Sequence, residues 1–221
     1  MSSIFDIMGP VMVGPSSSHT AGAVKLGRIA RFIFSDEIKK ADIYFHGSFA
    51  STYKGHGTDK AVVGGILGFK PDDERIKNSL EIAKNKNIDI NFSEVQLREV
   101  HPNTVKIVLA NDKESVTMVG SSIGGSDIRV IDIDNYEVNI SGQLPTLWII
   151  HKDRPGVVGV ITSVLGSYNL NIANMQDFRK KKGTIASSII ELDHAADEYV
   201  LKHLRNLDDI SLVRYIPPVV S

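Results

Sequence analysis

The sequence predicts an α+β protein in two parts: a glycine-rich, irregular α+β region over residues 1–143 and a ferredoxin-like βαββαβ unit over 144–221. Three observations carry this reading. Short β-branched runs alternate with amphipathic stretches of helical period along the whole chain. In the last third these elements fall in the order β-α-β-β-α-β, the split-βαβ arrangement. Between the two parts, Ser141-Gly142-Gln143-Leu144-Pro145 punctuates the pattern without a long low-complexity linker.

In the first part, Gly22, Leu26, Ile29, Ala30 and Ile33 give one apolar face to a helix predicted from about Thr20 to Phe34. A strand is expected over Asp42–Phe49. The segment Tyr53–Lys60 reads as a Gly-His-Gly turn leading into a helical run at Ala61–Leu67. Ile76, Leu80 and Ala83 mark a helix over 73–86. Strands follow at 88–92, 104–109, 115–119 and 128–133, with Gly120–Ser126 as a bend or bulge between the last two. In the second part, Thr146–His151 is a strand. Asp153 is a candidate N-cap and Pro155 a first helical residue, ahead of the apolar face Val157, Val160, Ile161, Val164 and Leu165. Leu170 and Ile172 open a second strand, Arg179–Gly183 is a charged hairpin tip, and Ile185–Leu192 is a third strand. A helix carrying Val200 and Leu204 and a strand over 210–216 complete the unit.

Charge excludes several classes of function. Lys and Arg total 25 against 26 Asp and Glu, a net charge of -1, so no broad electrostatic pull toward nucleic acid or an anionic membrane exists. No run approaches the ~20 apolar residues of a membrane helix. The start Met-Ser-Ser-Ile-Phe-Asp lacks a basic stretch followed by an apolar core, so a cytoplasmic protein is expected. The cysteine count is zero. The chain therefore has no disulfide, no thiol nucleophile and no thiolate ligand for zinc or an iron–sulfur cluster. No His-Glu-x-x-His pattern or paired-Asp calcium loop supplies another metal site.

Three segments carry chemistry. Ser16, Ser17, Ser18, His19 and Thr20 crowd the start of the first helix, where orphan backbone N–H groups and the positive dipole end suit a carboxylate or phosphate. His19 stands beside them as a proton carrier. Helix capping by the same hydroxyls accounts for the pattern equally. Glycines flank His56 and leave its imidazole open, with Thr58 and Asp59 just beyond; a plain turn and cap is the alternative. In the second part, His151, Asp153, Gly156 and Asn171 gather around the first strand-to-helix turn as a small-anion or amino-acid pocket. Capping by Asp153 and strand-end exposure of His151 explain them as well.

Taken together, Phe5-Asp6-Ile7-Met8-Gly9-Pro10, Gly14–Thr20, Gly47-Ser48-Phe49, Lys54–Asp59 and His101-Pro102-Asn103 resemble the beta chain of bacterial iron–sulfur-dependent L-serine dehydratases. Residues 145–221 resemble an ACT domain, a small-molecule sensing module. The resemblance implies deamination of L-serine to pyruvate and ammonia. It also implies a [4Fe–4S] cluster that acts as a Lewis acid on the departing hydroxyl, held by the cysteines of a separate alpha chain. The cysteine-free composition agrees with this chain being that partner. The first domain is similar to the substrate-binding regulatory fold of certain phosphoglycerate dehydrogenases.

Carried over by position, the resemblance places His19, His56 and Asp59 as catalytic residues and Ser16, Ser17, Ser18, Thr20 and Thr58 as substrate-binding ones, in a cleft shared with the alpha chain. His151, Asp153, Gly156 and Asn171 match effector positions. Asp153 stands where serine-binding relatives carry Asn, and a carboxylate there pairs with an ammonium but repels a carboxylate. ACT domains pair side by side, so self-association is expected. The other reading is a stand-alone amino-acid sensor that regulates a partner without catalysis. It accounts for the second part and leaves the two histidine-bearing segments of the first unexplained.

Overall fold

The first helical stretch does not begin as an α-helix. In this computed structural model, which describes residues 12–14, 16–179 and 181–220, Ser17–Gly22 form a π-helical turn and α1 runs from Ala23 to Phe34. Phe5–Pro10, Pro15 and Lys180, which belong to motifs noted above, lie outside the described residues. The chain divides into two compact units, Met1–Asp134 with Val219–Ser221, and Asn135–Pro218.

Unit one alternates helices with a mixed sheet. After α1 come β1 (Lys40–Phe45), α2 (Gly47–His56), α3 (Thr58–Ile66) and α4 (Ser79–Asn85), then β2 (Asp89–Glu94), β3 (Thr104–Ala110), β4 (Ser115–Gly124) and β5 (Asp127–Ile133). The sheet order is β2-β1-β3-β4-β5-β6, where β6 (Tyr136–Ile140) is the stretch at which the second unit begins. The β1–β2 pair is parallel, and β1–β3, β3–β4 and β4–β5 are antiparallel. Ala41, Ile43 and Phe45 on β1 and Val105, Ile107 and Leu109 on β3 are buried while Asp42, Tyr44, Lys106 and Val108 between them are partly exposed, the pattern of a sheet covered on one face.

Four expectations need correction here. The strand over 42–49 stops at Phe45, because Gly47 takes φ +56° and the Ser48 N–H turns to the Pro102 carbonyl at 2.9 Å, starting α2. Tyr53–His56 is consequently the last turn of that helix rather than a loop. The helix over 73–86 is a 3₁₀ segment (Glu74–Asn78), capped by Asp73, that passes into the short α4. Gly120–Gly124 continues β4 instead of ending it, although the expected bulge is present as two register shifts, and the reversal is confined to Gly125-Ser126. The β6 strand was not anticipated.

The α1–α3 crossing fixes the N-terminal scaffold. A Cβ on Gly27 would fall 2.2 Å from the Val62 carbonyl oxygen, and one on Gly65 would fall 2.1 Å from that of Val24. Backbone lies against backbone here, and only glycine fits. Leu26 packs over Gly120 of β4, so α1 sits directly on the sheet.

Unit two holds β7 (Thr146–Lys152), α5 (Val157–Ser167), β8 (Ile172–Arg179), β9 (Ile185–Leu192), α6 (Glu198–Arg205) and β10 (Ile210–Ile216). Its sheet is ordered β10-β7-β9-β8 with all neighbours antiparallel, the ferredoxin-like arrangement. Leu147, Ile149, Ile190 and Val213 meet Ile161, Leu165, Val200 and Leu204 from the helices in one apolar core. The expected Asp153 cap is not formed. Gly156 is the N-cap of α5, and Pro155 belongs to the turn before it.

Candidate functional site

Ser16 does cap, as one of the two sequence readings holds. Its Oγ accepts the His19 N–H at 3.2 Å, and its carbonyl accepts that of Thr20 at 2.9 Å. The same Oγ lies 3.3 Å from His19 Nδ1, while Nε2 on the far side of the ring lies 3.3 Å from Ser48 Oγ. The imidazole is thus set between two hydroxyls, both at the long end of hydrogen-bond range. Phe49 meets it edge-on at 5.3 Å, and the His56 ring lies tilted at 5.1 Å. Helix α2 delivers these groups: Ser48, Thr52 and His56 recur at i, i+4 and i+8 and share a face. Gly57, at φ +68°, then breaks the chain direction between α2 and α3, so Thr58 and Asp59 open the next helix directly after His56.

The structure therefore brings His19, His56 and Ser16 together, with Ser17 and Ser18 half-buried on the same turn and Thr58 and Asp59 one hinge away. Thr20 and Thr58 are buried, and neither hydroxyl finds a partner among the described residues. Sequence reading gives no reason to set Ser48 against His19 across 29 positions; the π-turn and the helix starting at Gly47 do so. Further along α1, the buried Lys25 Nζ donates to the Ser126 carbonyl at 3.1 Å and to its Oγ at 3.2 Å, tying the helix to the β4–β5 turn.

Burial, reinforced by the neighbouring His56, holds the His19 imidazole below its ordinary pKa. His19 is therefore an unprotonated base near neutral pH. Burial pushes the Asp59 carboxyl up, against the opposing Lys60 N–H that it accepts at 2.8 Å. The His19 shift has a sign in stability. Folding favours the neutral ring, so the unfolded chain binds more protons as pH falls below about 6.5, and stability falls with it. We expect the Tm of the full chain to drop between pH 7 and 5.5, and His19→Gln to flatten that drop; an identical slope in the variant would place the titration elsewhere.

Unit two assembles its residues differently. His151 is buried rather than exposed at a strand end. Its Nε2 lies 2.9 Å from both Asp177 Oδ1 and Ser188 Oγ, its Nδ1 donates to the Lys152 carbonyl at 2.9 Å, and Ser188 Oγ donates to Asp177 at 2.6 Å. Asp153 accepts the Gly183 N–H at 2.7 Å and an Arg179 N–H at 3.5 Å, which tie the β8–β9 hairpin to the β7–α5 turn. These partners hold its carboxyl below the usual range. Asp153, Gly156, Arg179 and Gly183 border a cavity of about 520 Å³. Asn171 is not there. His151 pairs with Ala186 and Ile172 with Leu192, six positions further along β9 (192 − 186), or ~20 Å at the rise of a strand. Asn171 instead donates to Asp193 at 2.7 Å. Asp177 and Ser188 had no signal in the sequence beyond alternation in their strands.

No helix among the described residues is long and apolar enough to cross a membrane, and no group of three or more His, Asp or Glu among them could hold a metal ion. An α+β chain with a histidine–hydroxyl cluster on one unit, a ferredoxin-like unit after it in sequence and no thiol has the make-up of a cysteine-free enzyme subunit. The family described as serine dehydratase beta chain matches residues 3–131. A probable L-serine dehydratase beta chain of Bacillus subtilis is 44% identical over 214 residues, covering 97% of each chain, and the L-serine dehydratase beta chain of Peptoniphilus asaccharolyticus is 38% identical with the same coverage. A D-3-phosphoglycerate dehydrogenase of Methanocaldococcus jannaschii is 29% identical over 88% of this chain but only 37% of its own length. The chain belongs to the family of bacterial L-serine dehydratase beta chains.

Proposed function

We propose that this chain works with a cysteine-bearing alpha chain to convert L-serine to pyruvate and ammonia, residues 1–143 forming the beta-chain domain and 144–221 an ACT regulatory domain. The observation that carries it is the His19–His56 pair at 5.1 Å, set among the hydroxyls of Ser16 and Ser48 in a chain of this family. A [4Fe–4S] cluster does not fit this chain, which has no cysteine to ligate it, so the cluster sits on the alpha chain and no step here runs through it.

What this chain contributes is polar walls and a proton carrier. Ser16, Ser17 and Ser18 receive the serine carboxylate, with Thr20 and Thr58 beneath them. His56, exposed and in contact with His19, exchanges the proton at the α-carbon or the leaving oxygen, and Asp59, three residues on at the start of α3, adds a carboxylate to the same stretch. His19, kept neutral by burial and set between Ser16 and Ser48, packs against the His56 ring and positions it.

The strand order supports the ACT reading. β8 is an edge strand, and Asn171 lies at the opposite end of it from Asp177. If two copies join their β8 edges antiparallel about a two-fold axis, Asn171 of the second copy arrives at the His151–Asp153–Gly156 corner of the first. An amino-acid effector then binds between copies, its ammonium toward Asp153.

The test is co-expression with the alpha chain without oxygen, followed by assay of serine-dependent pyruvate. The pair is expected to be active and this chain alone inactive. Turnover by the chain alone, or by the alpha chain at an unchanged rate without it, would sink the reading.

A further inference from the structure

One buried serine outside the histidine cluster is joined to both of the arms that hold His19. Ser122, near the end of β4, is 0% exposed, and its Oγ has no hydrogen-bond partner among the described residues. Its neighbour Ser121 is buried as well but shares a 2.7 Å hydrogen bond with Thr104 Oγ1 on β3. A buried hydroxyl without a partner is unfavourable, and it persists in a native fold where its shape or position has a task.

The first arm is the π-helical turn that carries His19. A Cβ on Gly22, the last residue of that turn, would fall 2.2 Å from Ser122 Oγ and 2.8 Å from its Cβ, so the serine side chain rests directly on the glycine backbone. The match is part of a longer one. Gly120, two residues earlier on the same face of β4, leaves room for Leu26, one helical turn beyond Gly22. Large meets small at both points, with the roles of strand and helix exchanged. On either side of Gly120–Ser122 the register of β4 against β5 shifts, and such irregularities re-aim the side chains of a strand. The second arm is the loop ahead of β3. The Ser122 N–H donates to the Asn103 carbonyl at 2.9 Å, and the next carbonyl back, that of Pro102, accepts the Ser48 N–H at 2.9 Å. Ser48 Oγ is the hydroxyl on the Nε2 side of His19.

We infer that Ser122 is a positioning residue for His19. Its side chain seats the wide turn on the sheet, and its backbone fixes the loop that seats Ser48, so one residue sets both hydroxyl-bearing sides of the imidazole. A π-turn departs from the regular i→i−4 ladder and keeps its form through packing; over Gly22 that packing is the Ser122 side chain. Ser122 acts through the turn and the loop, not on the substrate. The inference rests on the serine reading only for its effect on turnover. The placement of His19 is read in this chain alone, so either idea can fail without the other.

The test pairs Gly22→Ala with the double variant Gly22→Ala/Ser122→Gly, in which the new methyl takes the volume that the serine side chain vacates. In the full-length chain with isotope-labelled histidine, the NMR signals of the His19 ring sense the edge of Phe49 and the His56 ring. Gly22→Ala is expected to move those signals, and the double variant to return them toward their original positions. With the alpha chain present, kcat for pyruvate should fall roughly 10²-fold in Gly22→Ala, as misplacement by ~1 Å does, and recover by at least ~10-fold in the double variant. Ser122→Ala removes only the unpartnered Oγ, so it should keep the Tm and still move the His19 signals; it carries the test if Gly22→Ala does not fold. Unmoved His19 signals in Gly22→Ala or Ser122→Ala, or a folded double variant that restores neither signal nor rate, would overturn the assignment. Signals that move and return while kcat stays constant would keep Ser122 as the positioning residue and remove His19 from the reaction.

Discussion

His56→Ala in the assembled alpha–beta enzyme is expected to lower kcat for pyruvate formation by at least ~10²-fold, the ordinary contribution of a positioned proton carrier. The effect should be on chemistry and not on folding. His56 is exposed at the last position of α2, so its loss leaves the Tm of the chain nearly unchanged, as surface substitutions do to within ~0.5 kcal/mol. The pairing of a large kinetic loss with a silent melting curve separates a reacting group from a structural one. An unchanged kcat would remove His56 from the proton path and leave His19, already held neutral by burial, as the remaining imidazole.

Gly65→Val should have the largest effect on stability. The new Cβ meets the Val24 carbonyl oxygen at 2.1 Å and the Arg28 nitrogen at 2.8 Å, both backbone atoms that no rotamer change can move aside. Helices α1 and α3 must separate, and their burial of Leu26, Ile29, Val62 and Ile66 is partly lost. We expect a loss of roughly 3 kcal/mol or failure to accumulate as folded protein. The urea midpoint measures it. A shift too small to detect would mean that the crossing is looser than the backbone distances require.

The sequence made the second unit legible and the first only partly so, for a physical reason. In unit two the strands are short apolar runs bounded by turn residues and each helix carries an apolar stripe, so β9 and the order of all six elements follow from the pattern. In unit one, local pattern was overridden where backbone groups found distant partners. Asp42–Phe49 reads as one strand until the Pro102 carbonyl takes the Ser48 N–H and starts a helix. The serines of the first motif were visible as an N-terminal cluster, and capping by Ser16 explains part of them. What alternation and spacing could not supply is the meeting of His19 with Ser48 and His56, which depends on two helices that neither stretch encodes alone. In unit two the same limit applies to Asp177 and Ser188, whose contact with His151 is set by strand order. It applies also to Asn171, whose separation from His151 along β9 within one chain is set by strand order and register.

The widened turn at Ser17–Gly22 has an evolutionary corollary. Such turns accommodate one residue more than an ordinary helical repeat, and deleting a single residue there would let α1 extend backward without interruption. Side chains upstream of the deletion would then rotate by about 100° around the axis, carrying His19 away from α2. Length in this stretch is therefore constrained along with residue identity, and functional homologues should carry no insertion or deletion between Ser16 and Ala23.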